Sequence, residues 1–197
     1  MKPAPKHLTK DKLLDQGVSL LMQRGYHGTG LQDILQSVGV PKGSFYNYFS
    51  SKEAFGAEVI QHYIDPFIEQ LDRHLRNETL NGAQALSAYF RELVEEAEHR
   101  QFKGGCLLGN LIGEIGDTSD TCLESLRIAT RRYRDKLREA LVRGQQEGVF
   151  RKDKSAGEMA DILVNAWQGA LLRMKIEQSV APLEQCRQML LDEYFRA

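Results

Sequence analysis

Residues 29–55 read TGLQDILQSVGVPKGSFYNYFSSKEAF. Leu31, Ile34, Leu35 and Val38 recur at i, i+3, i+4 and i+7, the spacing of one apolar helix face. Gly39 suits a left-handed cap at the end of that helix, and Pro41 biases Val40 away from helical backbone. A second short helix from Lys42 puts Phe45 and Phe49 on its inner side. Lys42, Ser44, Tyr46, Asn47 and Tyr48 are left to face outward. Helix, glycine turn, then a short helix rich in hydrogen-bonding side chains is the layout of a helix-turn-helix reading head.

On either side of this stretch the same 3.6-residue periodicity continues. Thr9 is placed to cap a helix over about 10–24, with Leu14, Val18 and Leu21 on its stripe and Gly25 ending it. Thr29 is placed to cap the second helix, and Ser50 with Glu53 makes a capping box that opens a longer one through Phe55, Val59 and Tyr63. Pro66 falls inside that pattern and predicts a kink or break. Asn77–Gly82 is a polar connector. Leu86, Phe90, Leu93 and Ala97 mark a further helix, and Gly104-Gly105 breaks the chain before a short segment, Cys106–Ile115. A long helix follows from about Thr121 to Glu147, with Leu126, Thr130, Tyr133, Leu137 and Leu141 on one stripe. Residues 155–176 form an apolar helix rich in small side chains, and Pro182 starts the last. No pair of alternating runs is joined by a hairpin dipeptide. The expected fold is therefore all-α, with about nine helices: a three-helix head over 1–55, carrying a flexible basic arm at 1–8, and a helical body over 56–197.

Composition narrows the class. The chain has 197 residues, 42% apolar and 27% charged, enough for a sizeable core. No run of 18 apolar residues marks a membrane span, and no apolar run follows the basic N-terminus as a signal peptide requires. Cys106, Cys122 and Cys186 are widely spaced and odd in number, which fits free thiols in a cytoplasmic protein. No Cys/His cluster has metal-ligand spacing, and no cofactor motif is present. The net charge of −1 divides unevenly: residues 1–55 hold seven Lys/Arg against four Asp/Glu, so the head carries +3 and the remainder −4. A basic head on an acidic body suits a phosphate-bearing partner.

Residues 9–55 resemble the DNA-binding domain of the TetR family of transcriptional regulators. The resemblance rests on Gly25, Thr29, Val38-Gly39-Val40, the run Lys42-Gly43-Ser44-Phe45-Tyr46-Asn47-Tyr48-Phe49, and Ser51-Lys52-Glu53-Ala54-Phe55. The chain departs from the common pattern at Gly30, where threonine or serine is frequent, and at Leu35, where alanine is usual. In the body, Gly104-Gly105-Cys106-Leu107-Leu108-Gly109-Asn110 followed by Glu114, and Ala166-Trp167-Gln168-Gly169-Ala170 through Lys175 and Pro182-Leu183-Glu184, resemble a branch that includes electrophile-responsive repressors.

The resemblance implies a dimeric repressor that releases double-stranded DNA, a palindromic operator, on meeting a small-molecule or electrophile effector. It puts the helix of residues 42–48 in the major groove. Lys42, Tyr46, Tyr48 and Lys52 then suit phosphate contacts, Ser44 and Asn47 suit base edges or phosphate, and Gly43 lies in the same run. Thr29 offers a hydroxyl and helix N-terminal N–H groups to phosphate. The dimer face is expected on the last two helices, through Ile162, Ala166, Trp167, Gly169, Ala170 and Leu190. Cys106, after two glycines and at a helix N-terminus, is the candidate sensing thiol, since such a position favours thiolate; a packed apolar role for it stays open. Lys175 matches a lysine that partners such a thiol. Tyr63, Phe90, Asn110, Tyr133 and Trp167 are candidate effector-lining residues. The competing class is an all-helical small-molecule carrier or enzyme without a DNA role. No catalytic Ser/His/Asp order, metal spacing or phosphate-cradling loop supports an enzyme.

Overall fold

A computed structural model describes the backbone from Lys6 and the side chains from Thr9 through to Ala197. The described residues form nine α-helices: α1 Lys6–Arg24, α2 Leu31–Val38, α3 Lys42–Phe45, α4 Lys52–Leu75, α5 Gly82–His99, α6 Leu107–Ile115, α7 Asp120–Gln146, α8 Ala156–Glu177 and α9 Ala181–Arg187. A π-helical stretch, Gln188–Tyr194, continues from α9. Among these residues there is no strand, only an isolated bridge between Phe150 and Arg196. The all-α expectation holds. No described helix is long and apolar enough to cross a membrane.

The chain divides into two compact units. One comprises residues up to Asp65 together with Leu107–Thr130; the other comprises Pro66–Cys106 and Arg131–Ala197. In the first, Leu13, Leu21, Ile34, Phe45, Phe49, Phe55, Val59 and Ile60 are buried, along with Leu107, Leu111 and Ile115 of α6. In the second, α5, α8 and the C-terminal segment enclose Tyr89, Phe90, Leu163, Trp167, Met174 and Leu183, and Phe150 meets Phe195 at 6.4 Å between centroids.

Several boundaries differ from expectation for identifiable reasons. The first helix starts at Lys6, ahead of the Thr9 cap, so residues 6–8 of the expected arm are helical and residues 1–5 lie outside the described residues. At α2 the cap is Gly30, one residue later than Thr29. Its N–H donates to the Asp33 carboxylate at 2.8 Å, while the Thr29 hydroxyl turns inward. At α4 the cap is Ser51 and not Ser50, because Ser51 Oγ accepts from Ala54 N at 3.0 Å. Pro66 does not end α4, which runs unbroken to Leu75. A proline removes only its own N–H from the ladder, and buried Ile64 and Leu71 hold the turns on either side. On α7 the buried stripe passes through Ala129 rather than Thr130, which is exposed.

Candidate nucleic-acid interface and thiol site

The reading head is set by two backbone devices and one aromatic cluster. Gly39 adopts φ 68°, ψ 33°, and the N–H groups of Gly39 and Val40 close onto the carbonyls of Gln36 and Leu35 at 3.3 and 3.0 Å. This is a left-handed helix end that glycine adopts without strain. Pro41 in extended backbone then starts α3, and its carbonyl accepts from Ser44 N at 2.9 Å. Only Lys42–Phe45 is α-helical; Tyr46–Tyr48 continue as turns. A single turn cannot hold itself. Phe45 and Phe49 hold it instead, packed with Phe55 of α4 at centroid distances of 5.1, 5.5 and 5.0 Å.

With those rings inward, Lys42, Gly43, Tyr46 and Asn47 are exposed, and Ser44 and Tyr48 are half-buried. Tyr46 keeps 53% of its surface open although it is a large aromatic. A Cβ placed on Gly43 meets no atom of the chain within 4 Å, so nothing internal requires a glycine there.

Two residues expected to meet DNA are committed elsewhere. Thr29 is fully buried, and its hydroxyl donates to the Gly25 and Leu20 carbonyls at 2.7 and 3.3 Å. It ties α1 to the start of α2 and offers phosphate no hydroxyl. Lys52 Nζ donates to the Tyr26 carbonyl at 2.8 Å and lies 4.4 Å from the Tyr26 ring centroid. Partial burial pushes its pKa down, and the nearby Glu114 charge opposes that. Lys52 is thus a strut between α4 and the Tyr26 loop. Burial pushes the Tyr26 phenol up to about 12, with Cys122 and Glu53 adding to the shift.

In the second unit, Gly104 and Gly105 adopt φ 90° and 76°, and Cys106 directly precedes α6. Its Sγ is half-buried and accepts from Gln168 Nε2 at 3.2 Å. The Lys175 side chain lies over Gly105: a Cβ there stands 3.0 Å from Lys175 Cδ and 3.9 Å from Nζ. Phe90 and Trp167 meet edge to face at 4.7 Å, and the buried hydroxyl of Tyr89 donates to that of Tyr133 at 3.0 Å. Burial drives the Tyr133 phenol far up; the Tyr89 hydrogen bond opposes this and Cys106 adds to it. Cys106, Lys175, Phe90, Tyr133 and Trp167 therefore share one unit. Tyr63 and Asn110 belong to the other, where Asn110 Nδ2 lies 3.5 Å from Met22 Sδ. Cys122 is buried in that unit, with its pKa raised by burial, and Cys186 is pushed up to about 11 by the same cause.

The expected dimer face needs editing as well. Trp167 and Ala170 are 5% and 6% exposed and belong to the interior of their own chain. Ile162 and Ala166 are half-buried and Gly169 is exposed. The apolar side chains that actually reach the surface beyond them are Leu172, at 61%, and Ile176, at 73%, with Met189 exposed beside half-buried Leu190. Ile162, Gly169, Leu172 and Ile176 fall at helical spacing on α8, a pattern that was readable once the inward side of the helix was known.

A glycine-turned pair of short helices, pinned by aromatics and presenting an outward polar row, defines a helix-turn-helix DNA-binding regulator. A model described as bacterial regulatory proteins of the tetR family matches residues 13–59, and one described as a tetracyclin repressor-like C-terminal domain matches residues 82–190. The HTH-type transcriptional repressor DhaR of Mycobacterium sp. strain GP1 is 35% identical, over 89% of this chain and 87% of its own length. The HTH-type transcriptional repressor NemR of Escherichia coli K12 is 32% identical, over 93% and 92%. The crystal structure of the reduced form of E. coli NemR matches with a TM-score of 0.83 at 30% identity, covering 96% of this chain and 97% of that one. A regulatory protein TetR from Rhodobacter sphaeroides matches with a TM-score of 0.85 at 29% identity, over 94% and 98%. The chain belongs to the TetR family of bacterial transcriptional regulators.

Proposed function

We propose that this regulator is a dimeric, cytoplasmic repressor rather than an enzyme. Residues 1–55 serve DNA recognition, and residues 56–197 serve effector binding and dimerisation. The observation that carries the reading is the outward row on and after α3: Lys42, Gly43, Tyr46 and Asn47 are exposed while Phe45 and Phe49 lock the backbone beneath them. Lys42, Tyr46 and Tyr48 contact phosphate, Ser44 and Asn47 face base edges, and Gly43 lets the backbone approach the duplex. One such turn spans few base pairs, so specific binding needs two heads on two half-sites of a palindrome, held by a dimer. Leu172, Ile176, Met189 and Leu190, with Ile162, Ala166 and Gly169, supply its face. A selection of bound duplexes from a random pool tests this: the recovered sequence is palindromic, and Lys42→Ala or Tyr46→Ala abolishes the enrichment. Recovery without any sequence preference would refute it.

We further propose that Cys106 senses electrophiles. The half-buried thiol beside Gln168, with Lys175 folded over the preceding glycine, supports this, as does the likeness to NemR, solved in a reduced form. The Cys106 thiolate adds to the electron-poor carbon of an activated alkene, a C–S bond forms, and the displaced π pair takes a proton at the neighbouring carbon. N-ethylmaleimide is expected to release DNA from the wild type and not from Cys106→Ser. Equal release from both refutes the sensor role.

A further inference from the structure

Glu114 lies near the C-terminal end of α6. Its carboxylate is aimed at the loop between α1 and α2. Oε2 accepts from the successive backbone N–H groups of Tyr26, at 2.8 Å, and His27, at 3.2 Å. His27 Nε2 reaches back to donate to the Glu114 carbonyl at 3.2 Å. The approach is close enough that a side chain opposite it would push the carboxylate out of place. A Cβ on Gly25, itself at φ 71°, falls 2.3 Å from Glu114 Oε1. Other polar atoms of the loop are held by α1, by Thr29 and by α4. Gly25 N–H donates to Leu21 at 3.0 Å, the Gly25 carbonyl takes the Thr29 hydroxyl, and the Tyr26 carbonyl takes Lys52 Nζ. The Tyr26 and His27 amides, with the His27 ring, are the share of this loop fixed from α6.

We infer that Glu114 is a positioning residue for sequence-specific DNA binding, a role that rests on the DNA-binding reading of α3. Thr29 closes the loop and Gly30 opens α2, so the direction in which the chain enters α2 is set where Tyr26 and His27 are held. From α2, the Gly39 turn delivers α3. A carboxylate gripping consecutive backbone amides fixes position and orientation together, and a charged acceptor does so more strongly than a neutral one. Base contacts demand that placement; phosphate attraction alone does not. Losing the grip therefore costs recognition of the operator and spares non-specific affinity for duplex DNA.

The test compares the full-length wild type, Glu114→Gln and Glu114→Ala. Each is titrated with an operator selected by the wild type and with a scrambled duplex of equal length and salt. Amide exchange is followed at Tyr26 and His27. For Glu114→Ala the expected result is faster exchange at both amides, operator affinity lower by about ten-fold, within the usual range of coupling between sites, and unchanged affinity for the scrambled duplex. Glu114→Gln, which keeps the shape and a neutral acceptor, falls between it and the wild type. Wild-type discrimination in both variants, with faster exchange at the two amides, overturns the inference and leaves Glu114 a structural tie. Loss of both affinities together in both variants also overturns it, since that is general unfolding of the head. If the wild type itself selects no sequence, the DNA-binding reading fails first, and the inference falls with it.

Discussion

Phe45→Ala removes the side chain on which the reading turn depends. Phe45 is fully buried and packs against Phe49 and Phe55 at centroid distances of 5.1 and 5.5 Å. Truncating a buried phenylalanine costs about 3–5 kcal/mol. The tilted aromatic pairing is part of that figure and is not added to it. Here the loss falls on a helix of four residues, Lys42–Phe45, which has no stability of its own. Ordering α3 against DNA would have to restore the missing energy. A shortfall of about 3 kcal/mol corresponds to more than about a hundred-fold in affinity. Phe45→Leu keeps most of the apolar volume and costs less than truncation to alanine. The assay is denaturant unfolding by circular dichroism alongside fluorescence anisotropy with the selected operator. Phe45→Ala is expected to unfold at lower denaturant and lose operator binding, while Phe45→Leu retains most of both. A Phe45→Ala protein that binds like the wild type and unfolds at the same midpoint refutes the packing argument for α3.

Gly25→Ala places a methyl group against the Glu114 carboxylate at a residue with φ 71°, so both strain and lost hydrogen bonds lower thermal stability, by about 2 kcal/mol or more in a melting experiment. Tyr133→Phe deletes the hydroxyl that meets Tyr89 in the second unit and is expected to cost about 1 kcal/mol in denaturant unfolding. Asp72 is held below the ordinary carboxylate value of 3.8 by Lys136 first, with Arg76 assisting against the cost of burial. A depressed folded-state pKa contributes stability that is present above 3.8 and lost as pH falls through the folded value. Lys136→Met is therefore expected to flatten the fall in melting temperature below about pH 4. Replacing Leu172 and Ile176 together by Glu puts like charges on the exposed face of α8, and sedimentation should show monomer where the wild type shows dimer.

The head was largely legible because its signals are local. The apolar spacing of Leu31 to Val38, the Gly39 turn and the Phe45/Phe49 pair each constrain a few neighbouring residues, and the structure keeps all three. What escaped reading was tertiary. Thr29 has the chemistry of a helix cap, but the Gly25 and Leu20 carbonyls compete for its hydroxyl, and Asp33 caps from the other side. Lys52 looks like a free cation until Tyr26 is placed beneath it. Pro66 predicts a kink or a break, and α4 runs through it without a break. On α8 the small residues mark close packing without saying which side packs within the chain, and Trp167 and Ala170 prove to be buried within it. Glu114 and Tyr26 lie 88 residues apart, and no periodicity joins them.

In the proposed function, the exposed row on and after α3 reads DNA as a pair of copies. Anisotropy titration of the wild type against its selected palindrome, the isolated half-site and a scrambled duplex, over a range of salt, tests it most directly. The palindrome is expected to bind on the order of a thousand-fold more tightly than the scrambled duplex. Lys42→Ala should lower affinity for both and reduce the salt slope by about one. Equal affinity for palindrome, half-site and scrambled duplex, or a palindrome affinity untouched by Lys42→Ala and Tyr46→Ala together, would contradict it.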